Sequence, residues 1–433
     1  MAQKQYEWRI GKPPPILGDH SLAKHRIIDR YVREYLRICT STPVQERLNI
    51  TIVDGFAGGG RYRYGNGEVR GSPMVLLEAV AEMQDQLNRT RQKGFEIRTD
   101  FLFVDIDRRN TDYLRSVIES SPFAEELDRS IHIWTADFNE RIDDAIALVK
   151  RRSPQKGRSL FLLDQYSWKD VTFRSIRQIL GELEKAEIFL TFMVDALIDY
   201  MSEKRLEMQG YRNIEADPGF IRELTEEKTE SKAWRTLIQN TLYTHLQAAT
   251  GAEYYSPFFI RSPDAHRSYW FLHLSRHREA RNVIGNIHWE QNNISLHHGR
   301  AGLQALGFTG ASDPMQMMLG GYAFDDIAKA TSHAYLIEQI PRIIRDAVDA
   351  DYAPSLEQLF GARCNDTPVT REIFEEALVE LRQLGELRIE DVYGKEKPRS
   401  PKVAWSDRIV LARQPTLFGP FGPLGQDKED DKR

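Results

Sequence analysis

At 433 residues, with 41% hydrophobic and 28% charged side chains, the chain has an ordinary globular composition and room for two or three domains. A formal net charge of −5 excludes a chain-wide attraction to nucleic acid, so any such contact needs a local basic patch. Two cysteines, Cys39 and Cys364, exclude a disulfide framework or a zinc cluster of their own and fit a reducing cytoplasm. The polar start from Met1 to Arg9 lacks the apolar stretch of a signal peptide, and no run is long enough to span a bilayer, so no membrane contact is expected.

Pro13 to Pro15 mark residues 1–20 as an extended arm. Ser21 is placed to cap a helix reaching about Ile38, with Leu22, Ile27, Ile28, Tyr31, Val32 and Tyr35 on one face. The apolar run Leu48 to Val53 reads as a strand that breaks into the glycine turn Asp54-Gly55-Phe56-Ala57-Gly58-Gly59-Gly60. A polar loop follows. Ser72 then reads as the N-cap and Pro73 as the first residue of a helix towards Leu87. Further strands are expected at Phe101 to Asp105, Ile131 to Thr135, Ser159 to Leu163 and Glu187 to Val194, with helices near Asp112 to Ile118, Asp143 to Val149 and Phe173 to Leu183. Tyr254 to Arg261 and Ser268 to Ser275 are placed to form an antiparallel pair.

Strands alternating with helices predict a parallel sheet covered on both faces. The closing antiparallel pair points to an α/β, Rossmann-like class I methyltransferase fold with a seven-stranded sheet, rather than an all-parallel dinucleotide-binding one. That domain is expected over residues 21–290, with a helical insertion at 197–250 that is too long for a plain connector. A helical connector at 291–350 includes a long helix from Phe324 to Val348. A winged-helix-like module at 351–413 and a disordered tail at 414–433 complete the chain.

The acids that end these strands carry the chemistry. A glycine turn lets a ligand approach the backbone, and Asp54 beside it suits the amino group of a methionine moiety. The turn has no Gly-Lys-Ser/Thr ending, which argues against a nucleoside triphosphate. Asp105, with Asp107 as its neighbour, is placed for ribose hydroxyls. Asp137 is placed for an adenine amine and Phe138 for its ring face. Asp164 and Tyr166 could hold an exocyclic amine and stack its base, or cap a helix and fill space. His297 and His298 read as a surface loop rather than a metal site, and no metal is expected. Trp270, Trp289 and Tyr269 read as core aromatics. Lys395, Lys397, Arg399 and Lys402 on the wing could meet phosphates, against a helix bearing Glu372, Glu375, Glu376 and Glu380.

Leu22-Ala-Lys24-His25, the Val53 to Tyr62 turn, Gly71-Ser72-Pro73 and Asp164-x-Tyr166 together resemble the three-Cys-motif partner protein family, over about Leu22 to Trp289. The Lys-His helix and the Gly-Arg-Tyr turn are also similar to the ribosomal RNA large subunit methyltransferase J family, which methylates adenine N6. The resemblance implies S-adenosyl-L-methionine as cofactor, a nucleic-acid base as substrate, and a three-Cys-motif protein as a partner. It implies cofactor-binding roles for Asp54, Gly55, Phe56, Gly58, Gly60, Ser72, Asp105, Asp137 and Phe138. Asp164, Tyr166 and Lys24 would be catalytic, and His25 and Tyr62 would face the substrate. Where the adenine-N6 enzymes read Asp/Asn-Pro-Pro-Tyr or -Phe, this chain reads Asp164-Gln165-Tyr166-Ser167, which brings the aromatic one place closer to the acid. The rival readings are a non-catalytic docking protein of the same fold and a nicotinamide-dependent oxidoreductase.

Overall fold

The computed structural model describes residues 6–201, 208–230, 234–261, 268–290, 325–348, 353–397 and 403–412. Its centre is a seven-stranded sheet built from β1 (Arg47–Asp54), β4 (Glu96–Asp105), β5 (Ile131–Thr135), β6 (Ser159–Leu163), β7 (Ala186–Phe192), β8 (Tyr254–Arg261) and β9 (Ser268–Ser275). The spatial order is β5-β4-β1-β6-β7-β9-β8. The first five strands run parallel, and β9 lies antiparallel to both β7 and β8. Chain order reverses between β1 and β6, and the crevice at the carboxyl ends of strands flanking such a switch is where ligands of open α/β sheets bind. This order, with its single reversed strand, is the class I methyltransferase sheet.

Alternation along the strands explains the two covered faces. Val53, Leu102, Val104, Phe161, Leu163, Ile188 and Leu190 point into one buried cluster. Ile50, Ile52, Phe101, Phe103, Leu160, Leu162 and Phe189 point into the other. Against the second face pack α1 (Asp19–Cys39), α2 (Ser72–Thr90), α3 (Arg108–Glu119) and α10 (Arg278–Glu290). The first face takes α4 (Ile142–Arg152) and α5 (Phe173–Glu182), together with the insertion of α6 (Val194–Tyr200), α7 (Gln209–Asn213), α8 (Pro218–Glu230) and α9 (Trp234–Thr250).

Several local expectations are corrected. Ser21 does not cap α1: the helix starts at Asp19, after Gly18, with no side-chain cap. Ser72 lies inside α2, whose N-cap is Gly71. The polar loop after the glycine turn is a hairpin of β2 (Arg61–Tyr64) and β3 (Gly67–Arg70), turned at Gly65 with φ +58°. The arm is built onto that hairpin, with Arg63 N–H donating to Pro15 O at 2.8 Å and Leu17 N–H to Arg63 O at 2.8 Å. Asp107 caps α3 by accepting from Arg109 N–H at 2.9 Å.

The chain divides into two compact units, residues 1–330 with 364–370, and 331–363 with 371–433. The division differs from the boundary expected at 351. The segment Cys364–Thr370 returns to the first unit, where Arg281 donates to Val369 O at 2.8 Å and the Trp289 indole N–H to Pro368 O at 2.9 Å. The long helix α11 (Asp326–Val348) crosses the division. The second unit holds, in chain order, α12 (Leu356–Leu359), α13 (Arg371–Gln383) and the antiparallel pair β10 (Leu387–Glu390) and β11 (Arg408–Leu411). Lys397 is turned onto Asp407, while Lys395 is exposed. Arg399, Lys402, His297 and His298 lie outside the described residues, as does the expected tail. Among the described residues no helix is long and apolar enough to cross a membrane.

The insertion is seated on Trp168, whose indole stacks on Tyr211 with centroids 5.5 Å apart at 24° and fits against Gly210. Trp168→Ala should cost about 3–5 kcal/mol of stability, the range for truncating a buried aromatic. Hydrogen exchange should rise in residues 209–230 and stay unchanged in β1 and β4. Unchanged protection in 209–230 would show that the insertion is held elsewhere.

Candidate functional site

Asp54 ends β1, Asp105 ends β4, and Asp164 follows β6, so three adjacent strands deliver three carboxylates to one crevice. The turn after Asp54 is pinned from both sides: Gly55 N–H donates to Leu162 O at 2.9 Å and Ala57 N–H to Val104 O at 2.9 Å. Gly58 and Gly60 sit at φ +59° and +77°, a left-handed backbone that glycine adopts without strain.

Each carboxylate is settled differently. Asp105 accepts Gly58 N–H at 3.0 Å through one oxygen, and Asp107 N–H at 2.9 Å and the Asn110 amide at 3.1 Å through the other. It therefore fastens the glycine turn to the start of α3, with lone pairs left over for a further donor. Burial raises its pKa, and those donors moderate the shift. Asp164 is paired with Lys24 of α1, which also reaches Thr191 Oγ1 at 3.5 Å. Burial would raise Asp164, but the Lys24 ammonium, helped by the Thr191 hydroxyl, holds it below the usual carboxylate range.

Asp54 is fully buried. One oxygen accepts Phe56 N–H at 3.1 Å, and Oδ2 has no hydrogen-bond partner among the described residues. The Ser72 hydroxyl lies near enough to ease the charge but closes no bond of good geometry. Burial, reinforced by Asp164 and Asp105, pushes Asp54 up to about 7.

Aromatic rings cover this trio. Tyr62 stands 5.2 Å from Tyr6, 5.1 Å from Trp8 and 6.1 Å from His25, centroid to centroid. Tyr166 is 6.4 Å from Tyr6. Burial raises both Tyr62 and Tyr166, so each ring keeps its phenol proton. His25 is buried with an unpartnered Nδ1, and burial lowers it to about 4, leaving a neutral imidazole.

The turn glycines make room for protein side chains. A Cβ on Gly58 or Gly59 would meet the Trp8 indole at 2.7 or 2.4 Å, and one on Gly60 would meet Leu114 at 2.7 Å. Phe138 and Leu163 occupy the space beside Gly55, so the Phe138 ring, 3% exposed, belongs to the core. Asp137 stands at the end of β5 and holds Asn139, accepting its N–H at 2.8 Å and its side-chain amide at 3.2 Å. Asp164 caps no helix, since Thr172 caps α5 by accepting Ser175 N–H at 3.0 Å. Trp270 is fully buried beside Phe192.

Sequence reasoning missed Tyr6, Trp8, Gln165 and Thr191. Gln165 is buried, and its side-chain Oε1 accepts Asp170 N–H and Val171 N–H, each at 2.9 Å, which fixes the loop carrying Asp164 and Tyr166. The aromatics at 6 and 8 in a polar arm were a visible signal. The Gln165 bonds depend on a loop closure that local sequence does not announce.

No family model matches the chain, and no curated protein is similar enough in sequence to count as a relative. Among solved structures it is similar to the N-terminal domain of human METTL16 in complex with SAH, at 10% identity and TM-score 0.27 over 58% of this chain and 70% of that one. It is also similar to the N-terminal domain of EvdMO1 with SAH bound, at 13% identity and TM-score 0.27 over 57% and 81%. A putative methyltransferase, yhhF from Escherichia coli, gives 11% identity and TM-score 0.22 over 63% and 100%. These likenesses are distant, and strand order carries the fold assignment.

A carboxyl raised from 3.8 to about 7 makes stability depend on pH. Between these values the unfolded chain loses the Asp54 proton while the folded chain keeps it. Stability then falls as pH rises, by about 1.4 kcal/mol per unit. Asp54→Asn lacks this term, so its advantage in urea unfolding should grow from pH 4 to 7 and level off above. A constant offset would contradict a protonated Asp54.

Proposed function

We propose that the protein is an S-adenosyl-L-methionine-dependent methyltransferase acting on an amino group of a nucleic-acid base, with adenine N6 favoured. The observation that carries the reading is the Asp54 oxygen, buried beside the glycine turn at the switch point and without a hydrogen-bond donor among the described residues. A buried carboxyl left unmatched is costly, and a ligand ammonium supplies the missing charge and hydrogen bond together. Asp105 retains acceptor capacity for ribose hydroxyls. Trp8 covers Gly58 and Gly59, so the methionine end would meet the turn at Asp54 and Phe56.

When bound, the cofactor supplies an electrophilic methyl group on a sulfonium. Asp164, kept ionised by Lys24, accepts a hydrogen bond from the target amine and orients its nitrogen. With its depressed pKa, Asp164 is a poor resting place for the proton released on transfer, which passes to water. Tyr166, a neutral ring on the loop fixed by Gln165, stacks the base. Gln165 thus holds by hydrogen bonds a loop that Pro-Pro stiffens in the adenine-N6 pattern.

Purified protein with labelled cofactor and mixed RNA or DNA should transfer label to base amines. Asp164→Ala should lower kcat by about a hundredfold or more, the scale of a lost orienting group. Equal labelling by wild type and Asp164→Ala would remove Asp164 from the reaction.

A further inference from the structure

A cavity of about 560 Å³ opens between α1, the β2–β3 hairpin and α2. Its apolar lining comes from Leu22, Val69, Met74 and Val75. The charges around it largely cancel: Arg61 pairs with Glu68 at 3.4 Å, Arg70 with Glu78, and Arg33 with Asp29 at 2.9 Å and Glu82 at 2.7 Å. Arg26 is exposed at the cavity and has no acidic partner among the described residues. One lining group is unsatisfied. His25, 7% exposed, keeps a buried Nδ1 with no hydrogen-bond partner among the described residues, although the Arg70 carbonyl lies near its ring.

This cavity is balanced in charge, mixes a small apolar floor with a polar lining, and is provided with a neutral imidazole and a guanidinium that pairs with no acid among the described residues. Such a lining suits a flat, uncharged heterocycle carrying a single phosphate better than a run of phosphates, which four carboxylates would repel. Guanidinium planes also offer faces on which a base can stack. The cavity is not lined by Asp164 itself, but its His25 lies close enough to Asp164 and Lys24 to feel both charges, which links the cavity to the acid proposed to hold the target amine.

We propose that this cavity is a subsite for the nucleobase next to the target in a single strand, with His25 hydrogen-bonding the base edge and Arg26 meeting the adjoining phosphate. The inference rests on the nucleic-acid reading above and adds to it a determinant of sequence context, since flanking-base contacts set context in enzymes that act on extruded bases.

The test uses the full chain labelled with 15N-histidine and titrated with adenosine and with adenosine 5′-monophosphate, alongside calorimetry with S-adenosylhomocysteine. Both ligands should move the His25 Nδ1 resonance. His25→Ala should weaken both about tenfold, about one hydrogen bond, and His25→Gln should restore part of the loss. Arg26→Ser should weaken the monophosphate and leave adenosine unchanged. An unmoved Nδ1, undiminished affinity in His25→Ala, or displacement of the nucleotide by S-adenosylhomocysteine would each overturn the subsite. Should Arg26→Ser match wild type for both ligands, the phosphate contact fails. Transfer to RNA with no response at His25 would sink the subsite alone. A response at His25 without any transfer would sink the methyltransferase reading alone.

Discussion

Three carboxylates brought to one water-poor crevice cannot all be charged unless something answers each charge. Parallel pairing of β1, β4 and β6 brings them together, since the carboxyl ends of neighbouring strands finish at one edge. Asp105 is answered by the backbone, through Gly58 and Asp107, and by Asn110. Asp164 is answered by Lys24, from a helix 140 residues earlier in sequence. Asp54 keeps an oxygen on which no donor among the described residues closes a hydrogen bond, with the Ser72 hydroxyl only easing its charge. The glycine turn, the placement of α1 and the opportunity for a cationic ligand all follow from this division.

Helix α1 is held twice. Near its middle Tyr31 donates to Glu187 at the start of β7, and His273 approaches the same carboxylate at 3.2 Å. Nearer its start, Lys24 meets Asp164. Between these two anchors the helix crosses the second face of the sheet, where Ile27, Ile28 and Val32 pack against the strands. The same helix therefore supplies core packing, the counter-charge of the acid, and the imidazole beside the hairpin. A buried pair of this kind is not a large source of stability, because desolvation offsets most of the attraction. Its effect is to fix where Asp164 points and in which protonation state.

Most of the sheet was legible from the sequence because its signals are local. Ile131 to Thr135, Ser159 to Leu163, Tyr254 to Arg261 and Ser268 to Ser275 are strands at the expected limits, bounded by polar or glycine breaks. Two errors at helix starts share a cause: Ser21 and Ser72 are good capping residues, but glycine precedes each helix and the extra residues join the first turn. The β2–β3 hairpin was hidden because Arg61 to Arg70 is mostly polar, with Val69 its single aliphatic residue, and its short strands are held by the arm and turn rather than by an apolar face. The acids at strand ends were found from position alone, but their partners were not. Lys24 with Asp164, Gln165 with Val171 and Trp8 with Gly59 join residues through tertiary closure, which periodicity does not encode. Trp8 also revises the reason for the glycines: at positions 58 and 59 their missing side chains admit an indole from the arm.

The most direct test is a proton count. S-adenosylmethionine should be titrated into the protein at pH 6 by calorimetry, in buffers of different ionisation enthalpy. An ammonium that docks on Asp54 draws its carboxyl from about 7 back towards the ordinary range, so binding should release most of one proton, and Asp54→Asn should release almost none. Binding without proton release, or the same release from Asp54→Asn, would contradict the central role given to that unanswered oxygen.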